Sequence, residues 1–213
     1  MRTHGYFCAL LLGCLTGQLA ADPTSDLRAT LTKHCKNARV SAFLRVIASL
    51  EIGDQEPFAG YLTHYTKAQA DSWASHTERN IGAQYRGKEL WSTAFGRYQF
   101  LRKTWEDVSK KLGLKTIGPR EQDLAAIYLL LDCGALDYIL RGQIRVAVRL
   151  ARNIWASFPG SPYGQKTYSI AEFEKKYKMF YRKILENRKI RAQAAGAPAP
   201  RRATKTKPLP RKR

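Results

Sequence analysis

The sequence predicts a mostly helical α+β domain carrying one small irregular or β lobe, and three observations point there. Apolar residues recur at helical spacing near 41–52, 98–114, 118–136, 142–158 and 169–190. Between the first two of these stretches, residues 61–91 are rich in tyrosine and polar side chains without a helical period, which predicts loops and a short hairpin. The chain has 213 residues, 44% of them hydrophobic, which suffices for a single core, and no internal repeat divides it.

The N-terminus has a basic start, a short apolar run from Tyr6 to Leu15, and small residues at Ala20 and Ala21. That order reads as a signal peptide over residues 1–21, and the apolar run is too short to span a bilayer. An ordinary buried segment is the alternative. "LLGC", Leu11 to Cys14, also has the form of a lipoprotein cleavage box that would leave Cys14 lipidated, but cleavage near Ala21 is preferred. Residues 22–39 form a polar lead-in, helical or irregular. The folded domain is placed at residues 40–187.

From Ser41 the positions Phe43, Leu44, Val46, Ile47 and Leu50 mark one helical face, and "IGDQEPFAG" ends that helix with Gly53, Pro57 and Gly60. In "YQFLRKTWEDVSKKLGL" the face is Phe100, Leu101, Trp105, Val108 and Leu112. "GPREQDLAAIYLLLDCGAL" places Pro119 in a first turn and continues as an apolar, central helix. "GQIRVAVRLARNIWASF" reads as a further helix, ended by "PGSPYGQ", with Trp155 in its core, as Trp105 is in the earlier helix. "SIAEFEKKYKMFYRKILENRKI" closes the domain.

The formal net charge is +20. Residues 188–213 hold ten Lys or Arg, no Asp or Glu, and four of the nine prolines, so this segment reads as a disordered basic tail. It suits an electrostatic tether to an anionic surface, whether wall, membrane or acidic protein; a solvated tail that only aids solubility is the alternative. Nucleic acid is disfavoured as a partner, because an export signal separates the two and no nucleic-acid motif appears. Once the signal peptide leaves, Cys35 and Cys133 are the remaining cysteines, and one disulfide between them is expected, with two buried thiols as the alternative. The four histidines are scattered and not spaced with cysteine as zinc ligands, so no metal is expected.

Glu51 stands out. It lies four residues after Ile47 and seven after Leu44, on their apolar face. Apolar neighbours disfavour its charge, and the negative end of the helix macrodipole acts in the same direction. Both raise its pKa, which suits a general acid near neutral pH. The plainer alternative is a helix-terminal glutamate that reaches solvent or pairs with Arg79 or Arg86.

At "STAFGRYQ" (92–99) and "NIWASFPGSPYGQ" (153–165) the sequence resembles the lambda-type phage endolysins, lysozyme-like lytic transglycosylases that cut peptidoglycan. The likeness continues through "GRYQFLRKTWEDVSKKLGLKTIGPREQD", "GAL" and "RGQIRVA", over roughly residues 40–165. It implies a lysozyme-like fold, with the small lobe flanking an active-site cleft. It also implies that Glu51 is the catalytic acid; the family's "Ser-Glu-Gly" context is replaced here by Leu50 and Ile52. Sugar contacts are implied at Tyr98 and Gln99 of "GRYQ" and at Tyr163 and Gln165 of "SPYGQ", with ordinary half-buried packing the alternative for the two tyrosines. Fainter counterparts lie at Tyr61 and, in "WASHT", at His76.

The resemblance implies non-hydrolytic cleavage of the N-acetylmuramic acid–β-1,4–N-acetylglucosamine bond by a monomer acting on glycan strands without a cofactor. A hydrolytic lysozyme would want a second carboxylate, for which Asp54, Glu56 and Asp71 lie in the right lobe. A non-catalytic cationic wall binder is the rival from another class.

Overall fold

A computed structural model of the chain describes residues 23–53, 61, 63, 81–85 and 88–196. The signal peptide, His76, Asp54, Glu56, Asp71, Arg79, Arg86 and residues 197–213 lie outside the described residues. Seven helices and one hairpin follow in order among those described: α1 (Pro23–Cys35), α2 (Ala38–Ile52), β1 (Ile81–Tyr85), β2 (Lys88–Ser92), α3 (Arg102–Leu112), α4 (Pro119–Asp132), α5 (Ala135–Arg141), α6 (Ile144–Ala151) and α7 (Ile170–Gly196). The architecture is mostly helical, as the periodicity predicts, and β1 and β2 pair antiparallel from Ile81 opposite Ser92 to Tyr85 opposite Lys88.

α2 is the axis of the fold. Asn37 caps it, its side-chain oxygen accepting from Arg39 N at 2.9 Å and Val40 N at 3.3 Å. Val40, Ala42, Phe43, Val46 and Ile47 are fully buried, so the helix is enclosed on several sides, with α1, α4, α5 and α7 packed against it. Gly53 ends it at φ +89°, a backbone that favours glycine, and its N–H returns to Ser49 O at 3.1 Å. The chain therefore turns away two residues after Glu51.

An aromatic cluster joins α2 to the segment before α7. Phe43 meets Phe173 at 5.1 Å and Phe158 at 6.2 Å, and Phe158 stacks on Trp155 at 5.3 Å. α7 runs antiparallel to α2: Tyr168 N, just before α7, bonds to Ser157 O beside Glu51, while Arg188 reaches Lys36 O at the other end.

Four sequence expectations are corrected. The stretch 142–158 is helical only to Ala151, and Trp155 sits in the turns that follow, although it is buried at 3% exposure. The stretch 118–136 breaks at Cys133 and Gly134 into α4 and α5, with Gly134 in the left-handed region at φ +74°. Leu101, expected on the buried face, precedes α3 and is exposed. The tail boundary at 188 also moves, because α7 continues to Gly196, carried by the helix-forming run "ENRKIRAQAA" and by the Arg188 contact.

The expected Cys35–Cys133 disulfide is absent: both are half-buried free thiols. Burial pushes Cys35 up to about 11, and the charges that reach it are those of Asp123 and Arg120, in the first half of α4. Cys133 caps the opposite end of that helix, and a helix rises about 1.5 Å per residue, which leaves the thiols too far apart for a disulfide.

The lobe is pinned to α4 by a tight turn. Phe95 and Phe100 exchange backbone hydrogen bonds at 3.0 and 2.9 Å around residues 96–99. Gly96 has φ +80°, and a Cβ there would stand 2.3 Å from Gln122 Oε1. Gly96→Ala should therefore cost about 1–3 kcal/mol by combining a strained backbone with overpacking, read as a lower urea midpoint at unchanged slope.

Candidate active site

Glu51 occupies the last turn of α2, half-buried, and faces the turn that carries Ser157. Its Oε1 accepts a hydrogen bond from Ser157 Oγ at 2.6 Å. Burial pushes the carboxyl up from its ordinary 4.5 to about 7, and the Ser157 hydroxyl and backbone N–H pull part of the way back. A carboxyl in this state is protonated for a useful fraction of molecules at neutral pH. It can donate a proton and, once ionised, take one back.

Ser157 is the functional residue that sequence reasoning missed. It lies inside "NIWASFPGSPYGQ", but nothing in spacing ties it to a glutamate 106 positions earlier. Only the packing of Phe158 against α2 and α7, with Trp155 stacked on it, brings it there.

The expected sugar-binding residues separate into distinct groups. Tyr98 is 1% exposed, with its hydroxyl donating to Asp123 Oδ1 at 2.6 Å; it is a core residue and not a sugar platform. Tyr61 is likewise buried, donating to the same oxygen at 2.8 Å. Both corrections have one cause: a buried phenol needs an acceptor, and Asp123 supplies it to both. Gln99 is half-buried at φ +49°, and its Nε2 donates to Gly96 O at 2.8 Å and Thr63 O at 3.1 Å, so its amide nitrogen holds the turn. Tyr163 and Gln165 are exposed, and Tyr163 donates to Asn153 O at 2.6 Å. Those two remain available to a ligand. Among the described residues, no group of His, Cys, Asp and Glu is gathered as metal ligands.

A buried polar cluster joins the lobe to α4. Gln122 accepts from Arg97 N at 2.9 Å and donates to Tyr61 O and Ile117 O, each at 2.7 Å. Arg97 lies over the Tyr61 ring, 5.0 Å from its centroid. Burial raises the pKa of Asp123, while the two tyrosines and Arg97 oppose that rise.

A family model described as Endolysin matches residues 41–184, from the first turn of α2 well into α7. The chain belongs to the endolysin family. Two curated endolysins are similar in sequence. That of Escherichia phage lambda is 43% identical over 90 residues, 42% of this chain and 57% of the relative. That of Escherichia phage P2 is 48% identical over 79 residues, 37% of this chain and 48% of the relative. The chain thus spans about half the length of the curated endolysins it matches. Among solved structures, bacteriophage lambda lysozyme complexed with a chitohexasaccharide matches with TM-score 0.62 and 33% identity, covering 68% of this chain and 94% of that one. A second lambda lysozyme structure matches with TM-score 0.56 and 32% identity, over 70% and 94% of the two chains. The fold is lysozyme-like, as the resemblance implies. Residues 185–196 of α7 extend past the endolysin-family match.

The raised pKa of Glu51 makes a stability statement as well. A glutamate protonated more readily when folded stabilises the fold below its unfolded pKa near 4.5, and that contribution is lost as pH rises through about 7. Glu51→Gln keeps the shape and cannot ionise. It should match the wild type in denaturant unfolding at pH 4 and exceed it at pH 8, by about 1–3 kcal/mol.

Proposed function

We propose that this chain is a peptidoglycan lytic transglycosylase that cleaves the β-1,4 bond between N-acetylmuramic acid and N-acetylglucosamine. The observation that carries the reading is Glu51: half-buried, hydrogen-bonded by Ser157, and near pKa 7 at the end of the central helix. Protonated Glu51 donates to the glycosidic oxygen as oxocarbenium character develops at the muramoyl carbon. The carboxylate formed then accepts the proton of the muramoyl C6 hydroxyl, which closes a 1,6-anhydro ring. One carboxyl group serves both steps, because the nucleophile is intramolecular and already in place. A chitohexasaccharide bound to the lambda lysozyme supports a glycan strand as the ligand of this cleft. Tyr163 and Gln165, exposed on the segment after Ser157, are proposed to contact it.

Export fits the same reading: the order of residues 1–21 is that of a signal peptide. The basic C-terminus is proposed to tether the enzyme to an anionic surface. α7 leads from the Glu51 end of α2 to the Lys36 end, so residues beyond Gly196 begin away from the cleft. Seven Lys or Arg follow Gly196 and no acidic residue does.

Digesting purified sacculi and weighing the muropeptides tests the chemistry. Anhydro products are expected from the wild type, and Glu51→Gln should lose about 10²–10⁴-fold in rate. Reducing ends without anhydro products would mean hydrolysis with a second carboxylate, and binding without lysis would mean a cationic wall binder. Deleting residues 197–213 should weaken binding to sacculi at low salt, and the difference should vanish near about 0.5 M salt, where screening is nearly complete.

A further inference from the structure

We propose that Asp123 is a positioning residue for the Glu51 chemistry, acting through Tyr98 and Trp155 on the Ser157 hydrogen bond. This rests on the reading of Glu51 as the acid. Asp123 itself lies on α4 and takes no part in the proton transfers.

The chain of contacts is continuous. Asp123 Oδ1 accepts the Tyr98 hydroxyl at 2.6 Å, which fixes the Tyr98 side chain. The carbonyl of Tyr98 accepts the indole N–H of Trp155 at 3.1 Å. Trp155 in turn accepts Phe158 N–H at its carbonyl, also at 3.1 Å, and its ring stacks on Phe158. Ser157 lies between these two residues and donates to Glu51 at 2.6 Å. Its turn is therefore held on one side by Tyr98 and on the other by Phe43 and Phe173, which grip Phe158.

A positioning role is distinct from a brace that only joins the lobe to α4. Tyr61 donates to the same Asp123 oxygen at 2.8 Å, but its carbonyl accepts from Gln122, not from Trp155. Removing either phenol weakens the brace. Tyr61 also meets the Tyr98 ring edge-on at 6.4 Å, a contact that Tyr61→Phe keeps, but Tyr98 alone carries the carbonyl that Trp155 bonds. The other charged or titratable groups acting on this cluster are Arg97, which attracts Asp123, and Cys35 on α1, whose thiol the Asp123 charge disfavours.

The test compares wild type, Tyr98→Phe, Tyr61→Phe and Ser157→Ala on soluble glycan strands prepared from sacculi, following kcat, KM and the pH dependence of kcat/KM. Glu51 must be protonated to act, so wild-type kcat/KM should fall as pH rises through about 7. Ser157 lowers the pKa of Glu51, so loosening its hydrogen bond should move that fall to higher pH. Tyr98→Phe should show the same upward move as Ser157→Ala, with kcat reduced about tenfold or more and KM within about twofold, as expected for small misplacement of a catalytic contact. Tyr61→Phe should lose comparable stability and keep the wild-type pH profile. A folded Tyr98→Phe enzyme with an unmoved profile overturns the proposal, as does a Tyr61→Phe profile that moves equally. Should Tyr98→Phe not fold, Trp155→Phe removes the indole donor while keeping an aromatic ring against Phe158, and must give the same upward move. Full activity in Glu51→Gln would overturn the Glu51 reading and this proposal with it; loss there, with Tyr98→Phe unmoved, overturns this proposal alone.

Discussion

The withdrawal of one carboxylate from water is the constraint on which the site depends. Glu51 ends a helix whose other faces are enclosed by α1, α4, α5 and α7, so its side chain inherits an apolar setting. Desolvation outweighs the two Ser157 hydrogen bonds, and the net result is a pKa of about 7. An ion pair with an arginine would have driven it in the opposite direction. The serine's hydroxyl instead orients the carboxyl while leaving its proton available near neutrality. The long aromatic contacts of Phe43, Phe158 and Phe173 exist on the same terms: they bring the serine's turn to the end of α2.

The "GRYQ" segment has a different role from the one its residue types suggest. Gly96 admits Gln122, Arg97 lies over Tyr61, Tyr98 bonds to Asp123, and Gln99 bonds back to Gly96 and Thr63. Gly96, Arg97 and Tyr98 meet α4 through Gln122 and Asp123, and Gln99 closes the turn on itself. A buried carboxylate costs stability unless its lone pairs are used, and here two phenols donate to it while the charge of Arg97 favours its ionised form. In the proposed reaction, direct contact with sugar falls to exposed residues such as Tyr163 and Gln165.

α7 joins the site to the charged end of the chain. Its first turns pack beside Ser157, and its last turns carry Arg188, Lys189 and Arg191 past the Lys36 end of α2. The conserved geometry of a helix, rising at a fixed rate along one axis, separates the proposed chemistry from the proposed tether.

What the sequence by itself determined was the helical framework, the hairpin-bearing lobe and the place of Glu51 on the apolar face of its helix. Periodic burial at Phe43, Val46 and Ile47 is local information, as is a glutamate placed on that same face, and long matching motifs located the family. Tertiary structure alone decided the rest. Ser157 meets Glu51 across 106 positions, Tyr61 and Tyr98 share one carboxylate, and Cys35 and Cys133 stay apart. A tyrosine reads identically in sequence whether its hydroxyl faces a sugar or a buried aspartate. Only packing chooses its partner, because hydrogen bonds are set by distance in space and residue type fixes no more than the capacity to make them.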